Sequence, residues 1–267
     1  MADGATDIGP KVAVAIEANI AAHLRSFARL PGAVLHDEPS LVWVDCGVPV
    51  PTYNSVVHAD FAPDAVDARI EEVLAHFRCH ARPFTWHLGP STRPTDLDRA
   101  LLAHGLTLSD DEPGMAVALG VPDDGAAPLG LTIKAVRDER DLGAWVDVWL
   151  FPLPVDALRL FVDALLVLGL GDDLPWRYYL GRLDGEPVAT SMLFAEHGVA
   201  GVQYVVTLPA ARRLGIGTAM TRRVLDDGQA LGCRLAVLTA SDEGIGIYRR
   251  LGFREYCRFR RYEWESG

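Results

Sequence analysis

The sequence predicts an α+β protein of two tandem units, each a three-layer α/β arrangement with a central mixed, mostly antiparallel sheet flanked by helices. Strand-length apolar runs and amphipathic helical patterns follow one another along the whole chain. A Pro-, Asp- and Gly-rich stretch at residues 121–130 divides the chain near its middle and predicts a linker. The order strand, helix, strand, helix, glycine occurs on both sides of this stretch, which indicates an internal repeat.

The composition of the 267-residue chain is that of a globular protein with a sizeable core, because 49% of the residues are hydrophobic and 23% are charged. The formal net charge of −11 argues against broad binding to nucleic acid or to an anionic membrane. The longest apolar run, residues 164–170, is far too short to span a bilayer. We therefore expect no nucleic-acid partner and no membrane association.

The N-terminus and the cysteines indicate the compartment. Residues 1–10 carry acidic side chains and no apolar run of the kind found in a signal peptide, and we expect a disordered tail there. The four cysteines include no C-x-x-C pair, which favours free thiols in a reducing compartment. A cytoplasmic protein is expected, either a monomer or a homodimer.

The first half contains three helical patterns and five strand patterns. Val12, Ile16 and Ile20 recur at helical spacing until Pro31-Gly32 ends the first helix, and Gly105 ends the third. The predicted helices cover residues 11–30, 63–77 and 95–104, and the predicted strands cover residues 33–35, 41–46, 53–57, 84–88 and 115–119.

The second half begins with a strand and two helices, followed by three antiparallel strands of which the first two flank the hairpin signal Asp184-Gly185. A helix, a strand, a short helix and a last strand follow. The predicted strands cover residues 131–135, 176–183, 187–194, 199–208, 234–239 and 254–265, and the longer helices cover residues 138–150, 154–168 and 218–231.

The turn between the strand at 199–208 and the following helix has the features of an anion site. Backbone N–H groups in the first turn of a helix have no intrahelical partner, and the helix dipole attracts negative charge there. Gly215 and Gly217 lack side chains that would block a phosphate, and Arg212 and Arg213 can bond to one. The sequence therefore predicts a pyrophosphate site at this turn, although neither a P-loop nor a complete dinucleotide fingerprint is present.

Two motifs at this spacing resemble the GNAT superfamily of N-acetyltransferases. The coenzyme A motif of that family, [RQ]-x-x-G-x-[GA], is matched by Arg212, Gly215 and Gly217. A later family feature, a Tyr four residues before a Gly-Phe pair, is matched by Tyr248 and Gly252-Phe253. The resemblance implies the acyl-CoA N-acyltransferase fold, with acetyl-CoA as co-substrate.

The resemblance also implies roles for individual residues. Acetyl-CoA would lie between the strand before the turn and the strand after it, and Tyr248 would protonate the leaving thiolate. The residues implied in acetyl-CoA binding are Val205, Val206, Thr207, Arg212, Arg213, Leu214, Gly215, Ile216, Gly217, Thr218 and Ser241. Ser241 stands where many family members have Asn, and helix capping explains it equally well.

The two halves align from Tyr53 to Gly105 and from Tyr204 to Gly252. Residues 59–63 of the first half stand where the second has its phosphate turn, and they contain no glycine and have two acidic residues nearby. Such a loop would repel a phosphate. Residues 11–120 are therefore interpreted as a degenerate GNAT-like domain without acetyl-CoA, and residues 131–267 as the catalytic domain.

The implied reaction is direct transfer of an acetyl group to a primary amine of a small molecule in a ternary complex. The candidate substrate contacts are Trp145, Trp149, Tyr178, Gln203 and Asn54. No general base is identified, because the strand before the turn offers Gln203 and Tyr204 rather than a carboxylate. An acyl-CoA sensor without turnover and a protein N-acetyltransferase remain alternatives. No H-x-x-x-H pair with a third ligand is recognised among the eight histidines, so no metal is expected.

Overall fold

The computed structural model describes residues 8–120, 125–153 and 155–265, and the chain divides into two compact units. The first contains the described residues of Met1–Gly114 and Glu255–Gly267, and the second those of Met115–Arg254. The predicted boundaries, 11–120 and 131–267, differ from this division. Residues 115–120 belong to the second unit and the C-terminal strand to the first, because hydrophobic periodicity identifies a strand without identifying its neighbours.

The first unit contains α1 (Ile8–Arg25), β1 (Val34–Glu38), β2 (Leu41–Asp45), β3 (Ser55–Ala59), α2 (Val66–Cys79), β4 (Phe84–Leu88), α3 (Leu97–Ala103) and β5 (Thr107–Ala118) up to Gly114. Helix α1 begins at Ile8, inside the predicted tail. Pro10 lies in the first turn of the helix, where backbone N–H groups have no intrahelical partner, so a proline, which lacks the N–H, is tolerated there. Residues 1–7 of that prediction lie outside the described residues.

The sheet of the first unit has the strand order β1-β2-β3-β4-β11-β5, where β11 is the C-terminal strand Arg254–Trp264. Strands β3 and β4 are parallel and are connected through α2, whereas β11 is antiparallel to β4. Leu41, Ile70, Phe77 and Trp86 are fully buried in the core between this sheet and its helices.

Strand β5 is longer than predicted at its N-terminal end. Its first six residues are mostly exposed and polar, so they carry no alternating pattern. Ion pairs with the neighbouring β11 hold them in the sheet, since Arg258 contacts Asp111 and Arg261 contacts both Asp110 and Glu112. Pairing with a neighbouring strand, which a local sequence pattern does not reveal, explains the difference.

The second unit contains the end of β5 from Met115, then β6 (Leu131–Ala135), α4 (Glu139–Trp149), α5 (Val155–Leu168), β7 (Trp176–Leu183), β8 (Glu186–Glu196), β9 (Val199–Thr207), α6 (Ile216–Ala230), β10 (Leu235–Thr239) and α7 (Ile245–Arg250). The strand order is β5-β10-β9-β8-β7-β6, and β9 and β10 are a parallel pair within a mostly antiparallel sheet.

Helices cover both faces of the second sheet. Tyr178 and Tyr179 are consecutive residues of β7 and therefore point to opposite faces. Tyr178 contacts Trp145 of α4 at a ring distance of 5.1 Å, whereas the Tyr179 hydroxyl donates to Asp227 of α6 over 2.6 Å. The predicted three-layer, mixed α+β fold is confirmed. None of the described helices is both long and apolar enough to cross a bilayer.

A buried histidine of α1 predicts that the protein loses stability in acid. Burial lowers the pKa of His23 from 6.5 to about 4. Between these two pH values the unfolded chain binds a proton that the folded chain does not, so stability is full above pH 6.5 and falls towards pH 4. We expect His23 alone to cost about 2 kcal/mol of unfolding free energy between pH 7.5 and pH 5.

Urea unfolding of the wild type and of His23→Leu at pH 7.5 and at pH 5 measures the contribution of His23 to the unfolding free energy. The loss of unfolding free energy between these two pH values should be smaller in the variant by about 2 kcal/mol, because leucine cannot be protonated. An equal pH dependence in both proteins would contradict the assignment.

Candidate active site

The parallel strands β9 and β10 separate shortly after they begin. Val199, Ala200 and Gly201 of β9 pair with residues 235–237 of β10, and the ladder ends there although both strands continue. Backbone N–H and C=O groups of β9 beyond Gly201 consequently have no ladder partner on the β10 side. Backbone polar groups require partners, so this gap suits a ligand that carries amide groups of its own.

Strand β9 contains a bulge at the same level. Val206 pairs with Thr190 and Gln203 with Met192, which leaves two residues of β9 opposite Ser191 alone. Tyr204 has a φ of +52°, a left-handed conformation that is uncommon for a residue with a side chain. The Thr190 hydroxyl donates to the Tyr204 carbonyl over 2.8 Å and stabilises the distortion. Bulges re-aim the groups of the strand that carries them.

The turn after β9 leads directly into α6. Gly215, with a φ of +81°, is the N-cap residue, and its carbonyl accepts the first helical bond from the Ala219 N–H over 3.1 Å. The amides of residues 216–218 therefore precede the first intrahelical bond and lie at the positive end of the helix dipole. This is the geometry of a phosphate site.

Three elements meet around Gly217. A Cβ atom on this residue would lie 3.3 Å from Cδ1 of Ile247 in α7 and 3.6 Å from the Thr207 hydroxyl at the end of β9. The end of β9, the start of α6 and the start of α7 thus enclose a position that has no side chain of its own. A phosphate can approach the backbone here.

Arg212 has protein partners on two sides. Its Nε donates to the Thr207 carbonyl over 3.2 Å, and its Nη1 lies 3.1 Å from Glu243. The guanidinium thereby connects the end of β9 to the loop before α7. Arg213 and Leu214 are exposed, and Arg213 has a φ of +67°. The structure brings both arginines to the turn and assigns Arg212 a tethering role that the motif alone does not reveal.

Helix α7 carries Tyr248, whose side chain is buried. The Tyr248 ring packs edge-on against Phe253 at 5.8 Å. Ser241 caps the turn before this helix, since its hydroxyl oxygen accepts from the Gly244 N–H over 3.3 Å and its carbonyl accepts from the Ile245 N–H over 3.0 Å. The capping role that sequence analysis left open for Ser241 is the one that the contacts support.

Aromatic side chains surround the bulge. The Tyr204 ring lies 4.5 Å from Trp149 and 5.8 Å from Trp145, and the Trp145 indole donates to the Ser191 carbonyl over 3.2 Å. Burial raises the pKa of Tyr178, which also contacts Trp145. Trp149 and Tyr204 are half-buried, whereas Trp145 and Tyr178 are buried. Within this group of four described residues, Trp149 and Tyr204 are the two that retain appreciable solvent-accessible surface.

Gln203 and Asn54, the other candidate substrate contacts, differ in position. Gln203 is half-buried on β9 beside the bulge. Asn54 is fully buried in the first unit, where its amide donates to the Val48 and Pro83 carbonyls, both over 2.8 Å. Its carbonyl oxygen accepts from the Cys46 N–H over 3.0 Å. Asn54 is a structural residue, and the prediction that it contacts substrate is wrong because backbone groups occupy its polar atoms.

The corresponding gap in the first unit is closed. Beyond the paired residues of β3 and β4, the Arg93 N–H donates to the Ala59 carbonyl over 2.9 Å, and the Phe61 N–H donates to the Arg93 carbonyl over 3.0 Å. Phe61 is buried and lies edge-on to Trp86 at 6.4 Å. Backbone bonds and an aromatic side chain thus fill the position that remains open between β9 and β10.

Comparison with known protein families assigns residues 143–253, most of the second unit, to a family. The model of the Acetyltransferase (GNAT) family matches residues 143–253. These residues form a GNAT domain. The matched range contains the bulge, the turn at residues 212–217 and α7. No curated protein matches the sequence.

Solved structures resemble almost the entire chain. A GCN5-related N-acetyltransferase from Kribbella flavida has a TM-score of 0.70 at 24% identity over 93% of this chain and 95% of that one. Another from Sphaerobacter thermophilus has a TM-score of 0.59 at 20% identity over 88% and 76%. A tandem GNAT protein from the clavulanic acid biosynthesis pathway has a TM-score of 0.58 at 16% identity over 89% and 85%. The predicted tandem GNAT fold is confirmed.

Two features of the GNAT domain escaped sequence analysis. The bulge at Tyr204 and its support by Thr190 depend on how β8 and β9 pair, and no local signal marks them. Phe161 of α5 lies edge-on to Trp149 at 5.6 Å and extends the aromatic group around the bulge. Its contact with Trp149 joins two helices, which the helical periodicity of either segment does not reveal.

Proposed function

We propose that the GNAT domain transfers an acetyl group from acetyl-CoA to a primary amine of a small molecule. The convergence of three elements around Gly217, beside the gap between β9 and β10, is the observation that carries this proposal. The gap suits the amide groups of pantetheine, and the start of α6 suits a pyrophosphate. The residues present therefore fit acetyl-CoA.

The backbone of β9 would hold the arm of the co-substrate. Val205 belongs to the bulge, and Val206 and Thr207 lead from it to the phosphate turn, so the three residues run in the direction from the reacting group to the pyrophosphate. A bulge turns one backbone N–H away from its regular direction, and we assign such an N–H near Val205 or Val206 to the thioester carbonyl. Fixed donors of this kind stabilise the charge that develops on an attacked carbonyl oxygen.

Tyr248 would supply the proton for the thiolate that leaves. Acetyl-CoA provides an activated acyl group. The protein must therefore position the amine, accept a proton from it and donate a proton to the leaving thiolate. The amine has to lose a proton before it attacks. Glu243 is paired with Arg212, and Asp227 is bonded to Tyr179 and Arg223, so both carboxylates have other roles. Loss of the amine proton to an ordered water is our proposal for this step.

An assay with a panel of primary amines tests the activity. The purified protein is mixed with acetyl-CoA and each amine, thiol release is followed over time, and the product mass is measured. Release that depends on the amine, with a product heavier by one acetyl group, is expected. A lysine-containing peptide in the panel tests the protein acetyltransferase alternative. Binding of acetyl-CoA without release for any amine would favour a sensing module instead.

Trp149 provides a test of the substrate side. We expect Trp149→Ala to raise the KM for the amine about tenfold, because a lost aromatic contact costs about 1–2 kcal/mol. The affinity for acetyl-CoA should change little, since Trp149 lies at the bulge and not at the phosphate turn. Steady-state kinetics with both substrates varied separates the two effects. A change confined to acetyl-CoA would contradict the assignment.

A further inference from the structure

The first unit contains a group of metal-ligating side chains at the C-terminal end of α2. His76 lies in the last turn of this helix and His80 is its C-cap residue, four positions later. Residues at this spacing lie on the same side of a helix. Asp45, the last residue of β2, faces them, and one ligand atom from each of the three residues lies within 4.8 Å of the others. The H-x-x-x-H spacing with a third ligand, which sequence analysis did not recognise, is therefore present.

The carboxylate of Asp45 is buried and held in a fixed orientation. The Gly47 N–H donates to Oδ1 over 2.9 Å, and Arg82 Nη1 donates to Oδ1 over 2.7 Å and to Oδ2 over 2.6 Å. These donors hold both carboxylate oxygens in place, and the guanidinium of Arg82 beside them favours the ionised form of Asp45. An ionised carboxylate that other groups orient is the form in which aspartate binds metals.

The two imidazoles are also oriented. His76 Nε2 lies 2.8 Å from Asp45 Oδ2, and the His76 ring packs against Trp43 at 4.4 Å. His80 Nδ1 lies 2.8 Å from the His76 carbonyl, which can only accept, so Nδ1 carries the proton. In the neutral ring Nε2 of His80 is then the nitrogen with a free lone pair. Backbone contacts of this kind select the tautomer of metal-binding histidines.

We propose that Asp45, His76 and His80 form a binding site for a divalent transition metal of the zinc type. Two imidazole nitrogens and one carboxylate are a donor set that zinc accepts, with a water as fourth ligand. The ion would take the place of the proton between His76 Nε2 and Asp45 Oδ2. A doubly protonated His76 would release that proton to solvent, and a neutral ring would carry it on Nδ1 instead. His80 is exposed, so its side chain can rotate to shorten the ligand distances and solvent can reach the site.

The site is independent of the proposed acetyl transfer, because all three residues belong to the first unit. Zinc binding would connect the end of β2 to the end of α2, two segments about thirty residues apart in sequence. A ligand that binds only the folded state stabilises it. The expected consequence is therefore a more stable first unit and not a change in the chemistry at β9.

Calorimetric titration of the untagged full-length protein with zinc chloride tests the proposal. We expect one zinc ion per chain, and at least about tenfold weaker binding in both His76→Ala and His80→Ala. Zinc should also raise the melting temperature of the wild type more than that of His80→Ala. Because His80 is exposed, its replacement leaves the core of the first unit intact.

Two control variants define the ligand set. His58→Ala removes another histidine of the first unit, which contacts the Pro39 carbonyl, and should bind zinc like the wild type. Cys79→Ser removes the exposed thiol next to His80 and should also leave binding unchanged. Absence of saturable binding, or equal affinity in the wild type and both His→Ala variants, would overturn the proposal. So would a loss in either control as large as that in His80→Ala.

Discussion

Replacement of Gly217 by glutamate is expected to abolish acetyl-CoA binding, with an affinity loss of at least about 100-fold, or about 3 kcal/mol. A Cβ at this position lies in contact with Ile247 and Thr207, so a glutamate side chain would have to fit among the end of β9, the start of α6 and the start of α7. Its carboxylate would occupy the start of α6 and repel the pyrophosphate that the free amides attract. Measurement of the dissociation constant by calorimetry gives the effect.

The Gly217→Glu variant should still fold, because acidic residues in the first turn of a helix are favourable. Gly217→Ala is the matched control for the loss of glycine. Its methyl group meets the flexible end of Ile247 at 3.3 Å and should reduce affinity only slightly. Gln229→Glu places the same charge in the last turn of α6, where it is exposed, and should bind like the wild type. Unchanged affinity in Gly217→Glu would refute the location of the phosphate site.

Replacement of Tyr248 by phenylalanine is expected to lower turnover about 100-fold, which is typical for loss of a general acid. The phenylalanine ring retains the contact with Phe253 and fills the same buried volume. Affinity for acetyl-CoA should therefore change by less than about threefold, since the hydroxyl acts on the thiolate as it leaves. Turnover under saturating substrates and the dissociation constant are measured separately.

Tyr256→Phe is the control for the Tyr248 experiment, because Tyr256 lies on β11 in the first unit and is partly exposed. It should retain the activity of the wild type. If Tyr248→Phe turns over as fast as the wild type, Tyr248 is a core residue and not the acid. Equal losses of affinity and turnover would assign the hydroxyl to co-substrate binding.

The sequence predicted those parts of the fold that depend on local patterns. The strands at 84–88, 131–135 and 176–183 were predicted with the bounds that the structure gives. The helix that starts after the phosphate turn was predicted to within two residues at its start, because glycine and the apolar periodicity that follows mark it locally. The candidate substrate contacts Trp145, Trp149 and Tyr178 stay a prediction; the structure packs their rings against one another and against Tyr204 of β9, and it buries Trp145 and Tyr178.

The remaining features depend on contacts between distant segments. The pairing of β11 with β4 joins residues that lie more than 170 positions apart. The bulge at Tyr204 depends on the register between β8 and β9, and the structural role of Asn54 depends on carbonyls at Val48 and Pro83. Asp45 approaches His76 only because β2 and α2 pack together. No local periodicity encodes any of these contacts.

The central claim is that one acetyl-CoA binds per chain, in the gap between β9 and β10. Calorimetric titration of the wild-type protein with acetyl-CoA tests it most directly. The proposal predicts saturable binding with one site per chain and a matching rise in melting temperature, because the first unit has its corresponding gap closed by Arg93 and Phe61. Two sites per chain would contradict the interpretation of the first unit, and no binding would contradict the proposed function itself.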